Sequence, residues 1–311
     1  MMEKSIKVFA PASISNVGPG FDLMGFAINN LGDEIIVRPN SQKKLRITKI
    51  TGDKKTLPLD INKNTATVGI LSLLNYIKTE TGFDIQINKK MGIGSGLGSS
   101  AASAVAAVFA INQYLELKLS KDELVKFAMV GEKAASGSFH ADNVAPSMLG
   151  GFVLIRSYDP LDIIKIDYPK SFFCSIIYPQ ISIKTAEARK LISKNIALRK
   201  SLNQTGNAAS LMIGLMNADY NLIGRSMVDE IAEPKRASLI PCYDRIRTNA
   251  LISGAINCNI SGSGPSLFSF TGSKKSASSI CESMVLACEE KSIKSESYIS
   301  KINSKGVIEL S

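Results

Sequence analysis

The chain has 311 residues, enough for one large or two ordinary domains, and 45% of them are hydrophobic, which sets it apart from disordered and low-complexity proteins. A net charge of +10 raises the question of polyanion binding, but the lysines are spread along the chain, tryptophan is absent, and no RRM, KH or zinc-finger pattern occurs, so no nucleic-acid partner is expected. Five scattered cysteines without a CxxC pair point to neither a disulfide framework nor a zinc site. The opening MMEKSIKVFAPAS lacks the apolar core of a signal peptide, and the most apolar segment, Ala101 to Ile111, is too short to span a bilayer; a cytoplasmic protein without a membrane partner is expected.

In chain order, Ile6 to Ala10 and Asp33 to Arg38 read as short strands around a turn-rich insert, PASISNVGPGFDLMG. Phe83, Ile85 and Ile87 alternate with Asp84, Gln86 and Asn88, as in a strand with one buried face. This strand leads into GIGSGLGSSAAS, and from Ser99 to about Leu117 an alanine-rich run predicts a helix with serines at its N-terminus. Ser120 and Glu123 form a capping-box pattern for a second helix through about Lys133. After Gly150-Gly151, FVLIR reads as a strand, and the loosely patterned SYDPLDIIKIDYPKS as the place of a domain boundary. Beyond it come a strand (FFCSIIYP), amphipathic helices between Thr185 and Ala250, two strands about a glycine turn in INCNISGSGPSLFSF, a helix near Ser276 to Glu290, and further strands. The class is α+β.

The glycine loop can be tested by counting. No glycine is placed for GxxxxGK followed by Ser or Thr, so a Walker A loop is excluded; the third glycine of GxGxxG falls on Leu97 or Ser99, so a Rossmann fingerprint is not supported. The shared physics survives, because a glycine loop between strand and helix lets backbone N–H groups approach an anion at a helix N-terminus. Ser99 and Ser100 add hydroxyls for phosphate or metal. The bland alternative is a connection that only lets the alanine helix pack closely.

GSGLGSSAAS also resembles the second motif of the GHMP kinases, where this loop wraps the triphosphate of ATP. APASISNVGPGFDLMGFAI resembles the first motif in its homoserine kinase form, and NISGSGPSLFSF the third, a glycine turn that closes over the nucleotide. The three stand in the family's order over nearly the whole chain. One departure is Gly92, where the family usually has proline. The resemblance implies a GHMP kinase two-domain fold, with a ribosomal protein S5 domain 2-like N-terminal domain (1–163), a ferredoxin-like C-terminal domain (164–311), and ATP and substrate in the cleft between them. It places the nucleotide on Gly92, Ile93, Gly94, Ser95, Gly96, Leu97, Gly98, Ser99, Ser100, Ala101 and Ala102, on Gly262, Ser263 and Gly264, and on Asn64 near adenine or ribose.

The second informative stretch is GEKAASGSFHADNVAPSMLGG, which holds Glu132, Asp142 and His140, the single histidine of the chain. Phosphoryl transfer needs an oxygen ligand for a metal and a group that orients the acceptor hydroxyl, and two acids can supply both. A helix-end charge, a turn carboxylate and a structural histidine are the bland readings. The stretch closely resembles the homoserine kinases, which implies that Glu132 and Ser100 hold Mg2+ and that Asp142 and Glu132 are the catalytic acids. His140 faces the substrate, with Asp142 near its hydroxyl.

A hydroxy amino acid also presents a carboxylate, which suits the arginine fork, and an ammonium. Arg189 in SIKTAEARKL and Arg236 in EPKRASLIP resemble the family's carboxylate-binding arginines, and Asn16 and Asp22 its ammonium-side residues. The implied substrate is L-homoserine, phosphorylated on its hydroxyl as a step towards threonine, with a second copy of the chain as partner in a homodimer. A GHMP kinase acting on a mevalonate-like or sugar acceptor, and a basic nucleic-acid binder with an incidental glycine loop, are the rival readings.

Overall fold

Phe83, Ile85 and Ile87 line the buried face of a strand in the computed structural model, which describes residues 5–310 apart from the side chain at 136. That strand is β4 (Gly82–Asn88), and it belongs to a mixed sheet with β1 (Ile6–Ser15), β2 (Met24–Asn40), β3 (Arg46–Thr51), β5 (Phe152–Tyr158) and β6 (Leu161–Ile166). β1 pairs with β2 and β2 with β4, all antiparallel, while β3 runs parallel to β4; the first residues of β2 pair with β5, which pairs with β6. Four helices cover this sheet, α2 (Ser99–Tyr114) and α4 (Ala141–Leu149) packing on its strands and α1 (Thr65–Ile77) and α3 (Lys121–Ser136) packing on α2. Small side chains let α2 lie in the middle, buried along almost its whole length. The capping box expected at Ser120 and Glu123 is present at the start of α3.

The second sheet contains β7 (Phe173–Pro179), β8 (Asn259–Ile260), β9 (Leu267–Thr271) and β10 (Ser295–Ser300), all antiparallel, in the order β10-β7-β9-β8. Helices α5 (Thr185–Lys190), α6 (Leu198–Asn217), α7 (Tyr220–Ser226), α8 (Glu233–Arg236) and α9 (Tyr243–Ile252) fill the connection from β7 to β8, and α10 (Lys274–Glu289) the one from β9 to β10. A fourth strand beside the first, with helices in both crossovers, is the expected ferredoxin-like plan. The chain then returns, and β11 (Ile308–Leu310) pairs with β1.

Four differences from the pattern reading have local causes. The insert from Pro11 to Gly25 is strand at its two ends, 11–15 and 24–25, with the expected turn between them; the first strand runs through Pro11 because that residue sits where the β1–β2 register breaks and so removes no ladder donor. The segment from Asn40 to Gly82, to which that reading assigns no element, holds β3 and α1, the latter capped by Asn64. The stretch around Asn143, to which that reading assigns no element, is helix α4, which sets aside the bland alternative of a turn carboxylate at Asp142. SYDPLDIIKIDYPKS contains β6, whose edge position leaves its side chains largely exposed and its pattern weak. The expected division at 163/164 therefore falls inside β6, the change of sheet comes between Ile166 and Phe173, and β11 adds to the first sheet; the outer limits, 1 and 311, lie outside the described residues.

The two sheets share one core. Phe26 of β2 stacks on Phe152 of β5 at 5.3 Å and meets Phe268 and Phe270 of β9 at 5.7 and 5.2 Å between ring centroids. Replacing Phe26 by alanine opens a cavity at this junction and should destabilise the protein by about 3–5 kcal/mol. Urea melts check this, and a loss under about 1 kcal/mol would mean that the sheets do not depend on the shared cluster.

Candidate active site

The glycine loop between β4 and α2 opens on a cleft of about 320 Å³. Gly94, Gly96 and Gly98 have φ of 70°, 80° and 66°, a left-handed backbone that a side chain would strain, and Gly98 is the N-cap of α2 with no side-chain cap bond. The donors of the first helical turn are thus uncovered by any capping side chain, and Ser99 and Ser100, which open that turn, line the cleft. The third motif docks directly on this loop. Ser261 Oγ donates to the Gly96 carbonyl at 2.6 Å, Ser266 N to the Ser95 carbonyl at 3.2 Å, and a Cβ on Gly96 would come within 2.7 Å of the Ser261 carbonyl oxygen. The first motif joins them, with Gly262 N donating to the Ser15 carbonyl at 3.1 Å and Asn16 Nδ2 to the Gly262 carbonyl at 2.9 Å. Three motifs far apart in sequence meet at one place.

Glu132, near the end of α3, and His140 and Asp142, at the start of α4, are all buried and line this cleft. Gly25 makes the position of Asp142 possible, since a Cβ there would overlap the Asp142 carbonyl oxygen. Burial pushes Glu132 up to about 7, partly offset by a hydrogen bond with Ser100. Burial, with the charge of Asp22 adding to it, pushes Asp142 up to about 6. Among the described residues Asp142 Oδ1 finds no hydrogen-bond partner. Asp22 behaves in the opposite way. Burial would raise it, but His140 and Arg189 outweigh burial and hold it near 2.

Arg189 of α5 clasps Asp22 with two hydrogen bonds, Nη1 to Oδ1 at 3.0 Å and Nη2 to Oδ2 at 2.5 Å, and His140 Nδ1 lies 3.5 Å from Asp22 Oδ1. His140 is raised: burial lowers it, and the hydrogen bond of Asp22 with the charges of Asp142 and Asp22 more than compensates. Arg236 of α8 donates from Nη1 to the Gly262 carbonyl at 2.7 Å, and its buried Nε has no partner among the described residues. Both guanidinium groups lie over the Phe21 ring, at 5.5 and 5.2 Å from its centroid. Asn16 Oδ1 accepts from Asp22 N at 3.1 Å, which fixes the turn that carries the acid.

Asn16, Asp22, Asn64, Ile93, Gly94, Ser95, Gly96, Gly98, Ser99, Ser100, Glu132, His140, Asp142, Arg189, Arg236, Gly262 and Ser263 line the cleft, whereas Gly92, Leu97, Ala101, Ala102 and Gly264 do not. The latter support it from behind. Leu97, Ala101 and Ala102 are core residues, Gly264 lies against Ile240 and Ile260, and a Cβ on Gly92 would come within 2.6 Å of the Tyr178 ring, which gives the departure from proline a steric reason. Asn64 uses both ends of its side chain internally, accepting from Ala66 N and donating to the Pro58 carbonyl. The two serines differ: Ser100 meets Glu132, while the Ser99 hydroxyl turns towards Asp33, 3.4 Å from its Oδ2. Ser15 and Asn143 lie inside the motif stretches without being singled out by them, and Tyr158 lies outside them. Asn143 bridges Ser13 and Ser15 of β1, and Tyr158 joins the backbones of Asp22 and Ala141.

Two family models match this chain, GHMP kinases N terminal domain over residues 64–151 and GHMP kinases C terminal over residues 211–289. Fold and cleft together define an ATP-dependent small-molecule kinase. The chain is 44% identical to the homoserine kinase of Chlorobium phaeobacteroides over 97% of its own length and 98% of the relative. The crystal structure of homoserine kinase from Cytophaga hutchinsonii matches with a TM-score of 0.96 at 48% identity, covering 100% of this chain and 98% of that one. The chain belongs to the homoserine kinase family of the GHMP kinases. The L. major mevalonate kinase solved in complex with R-mevalonate, with a TM-score of 0.74 at 16% identity over 97% of this chain and 99% of that one, shares the fold alone.

The raised Asp142 has a consequence for stability. Below its unfolded value, 3.8, both states hold the proton; as pH rises towards about 6 the unfolded state releases it first, and the folded protein loses stability. Asp142→Asn removes that loss, so the variant should match the wild type near about pH 4 and exceed it by about 3 kcal/mol near about pH 8. Urea melts at both pH values decide, and a pH-independent difference would contradict the assignment.

Proposed function

We propose that the protein transfers the γ-phosphoryl group of ATP to the side-chain hydroxyl of L-homoserine, giving O-phospho-L-homoserine and ADP, a step towards threonine. The observation that carries this reading is the pairing, in one cleft, of a set complementary to an amino-acid zwitterion with a glycine loop at an uncapped helix N-terminus. Arg189 and Arg236 receive the carboxylate, Asp22 and Asn16 the ammonium, and His140 holds Asp22 in place. Asp142, with Oδ1 unpartnered, accepts the hydrogen bond of the acceptor hydroxyl and aligns it on the phosphorus. The bond from that oxygen to phosphorus forms as the bond to the bridging oxygen of ADP breaks, and the hydroxyl proton leaves to Asp142 or to water. The homoserine kinases at 44% and 48% identity support the choice of acceptor.

The nucleotide side is read from the loop. Backbone N–H groups of Gly94 to Ser100 cradle the phosphates, and the Gly262 to Gly264 turn closes over them from the second sheet. Thus the division of the chain near 163/164 is one of labour, nucleotide loop before it and the lid turn and both arginines after it. Glu132 and Ser100 are hard oxygen donors side by side at the loop, and no three His, Cys, Asp or Glu among the described residues are grouped so as to hold a metal ion by themselves. That set suits Mg2+, which takes one or two protein ligands and completes its shell with water and substrate phosphates. When bound, the ion would neutralise charge on the phosphates during transfer.

We place the protein in the cytoplasm, where ATP is made. In support, its five cysteines are buried free thiols, as a reducing compartment allows, and no helix among the described residues is long and apolar enough to cross a membrane. A second copy is the proposed partner. Leu198, Leu202, Ile213 and Met216 stand exposed on one side of α6 and support this.

ADP release with MgATP and a panel of L-homoserine, L-serine, mevalonate, galactose and no acceptor tests the reaction: turnover should be confined to L-homoserine, and turnover with another acceptor alone would reject the substrate assignment. Arg189→Gln removes a charged double hydrogen bond and should raise the L-homoserine KM by roughly 10- to 100-fold with the ATP KM nearly unchanged. Steady-state kinetics with each substrate varied in turn measures the split, and equal rises in both KM values would count against this role.

A further inference from the structure

The backbone ladder between β2 and β4 ends at the pair Glu34 and Asn88. One residue further, where the glycine loop begins, the side chain of Asp33 takes over. Its Oδ1 accepts from Lys90 N at 3.0 Å, on the strand side of the loop. Its Oδ2 accepts from Ser103 Oγ at 3.1 Å, from Ser99 Oγ at 3.4 Å and from Lys89 Nζ, so donors of the first turns of α2 converge on the same carboxylate. Lys89 Nζ donates also to the Ser99 carbonyl and to Ser103 Oγ, each at 2.8 Å. The Asp33 and Lys89 side chains are 0% and 2% exposed.

We propose that Asp33 is a positioning residue for the nucleotide half of the reaction, fastening both ends of the glycine loop to one point in the core. This rests on the reading of the loop as a phosphate cradle. Between Lys90 and Ser99 the chain passes three glycines in left-handed conformation, and such a segment loses much conformational entropy when it closes on a ligand. A buried carboxylate holding both flanks fixes the span in advance, which lowers that loss at the moment of binding. It has a second effect. The N-cap, from which a serine would turn its hydroxyl onto the first N–H groups, is here Gly98, and the hydroxyl of Ser99, the first helical residue, is engaged by Asp33. Those N–H donors are thereby kept for the phosphates.

The test compares full-length wild type, Asp33→Asn and Ser103→Ala by calorimetric ADP binding, L-homoserine kinetics and amide hydrogen exchange across residues 91–98. Asp33→Asn should weaken ADP binding roughly tenfold or more and Ser103→Ala roughly threefold, each with the L-homoserine KM within about twofold of wild type and with faster exchange in the loop. ADP binding as in wild type by a folded Asp33→Asn, or a parallel rise in both constants, overturns the proposal. If Asp33→Asn does not fold, because the Lys89 charge is stranded, Ser103→Ala decides alone: a selective loss supports the role, and unchanged ADP binding overturns it. A wild type that neither binds ADP nor turns over L-homoserine removes the functional reading and this role together. A wild type that does both, beside variants that match it, removes only the role of Asp33.

Discussion

Helix α2 is buried from Ala101 to Asn112, enclosed by α1, α3 and α4 on its sides and by β1 and β2 beneath, and its geometry constrains everything else in the cleft. A helix so enclosed must still satisfy the N–H groups of its first turn, and a glycine N-cap supplies no side chain to do so. Ser99 and Ser100, which open that turn, line the cleft. The neighbouring elements are arranged about that end: the strand β4 delivers the loop, Asp33 fastens its flanks, Asn143 ties α4 to β1 beside Gly98, and the Gly262 turn settles on Gly96. Under the proposed reading, backbone donors at a helix N-terminus would hold an anion without a lysine in the loop.

The other organising principle is electrostatic. Three carboxylates share one cleft and are held in different states, Asp22 near 2, Asp142 about 6 and Glu132 about 7. Burial acts on all three in the same direction, so the differences come from partners. Asp22 has the Arg189 fork and His140, which overcome burial, whereas at Asp142 and Glu132 burial prevails. An ion pair already formed between Asp22 and Arg189 is the shape a zwitterion can replace charge for charge, with its carboxylate on the arginines and its ammonium on the acid. The raised acids are poised to gain from a cation or a hydroxyl that approaches them. Environments that push neighbouring acids apart are the usual way in which one site assigns them different tasks.

The parts of the fold written in local pattern are those the sequence by itself determined. β4, the alanine-rich α2 and the Ser120 capping box depend on the spacing of a few neighbouring residues, and the three glycine motifs carry their backbone requirements with them. β6, α4 and β3 were not legible, because an edge strand, a short proline-containing helix and a parallel edge pair take their stability from distant partners rather than from periodicity, whereas α1, with its Asn64 cap and its buried Ala66, Ile70, Leu73 and Leu74, carried a local signal that the pattern reading missed. The same limit applies within the site. Residue types and motif order indicated which side chains belong to the cleft, but the Asp22 and Arg189 clasp spans 167 positions, and nothing near Ser99 or Ser100 says that one hydroxyl faces Asp33 and the other Glu132. Chemistry resides in residue type, so the sequence determined the donors, the acids and the glycine loop; side-chain direction and protonation depend on packing and on charges brought together by the chain's return, and only the tertiary structure decided those.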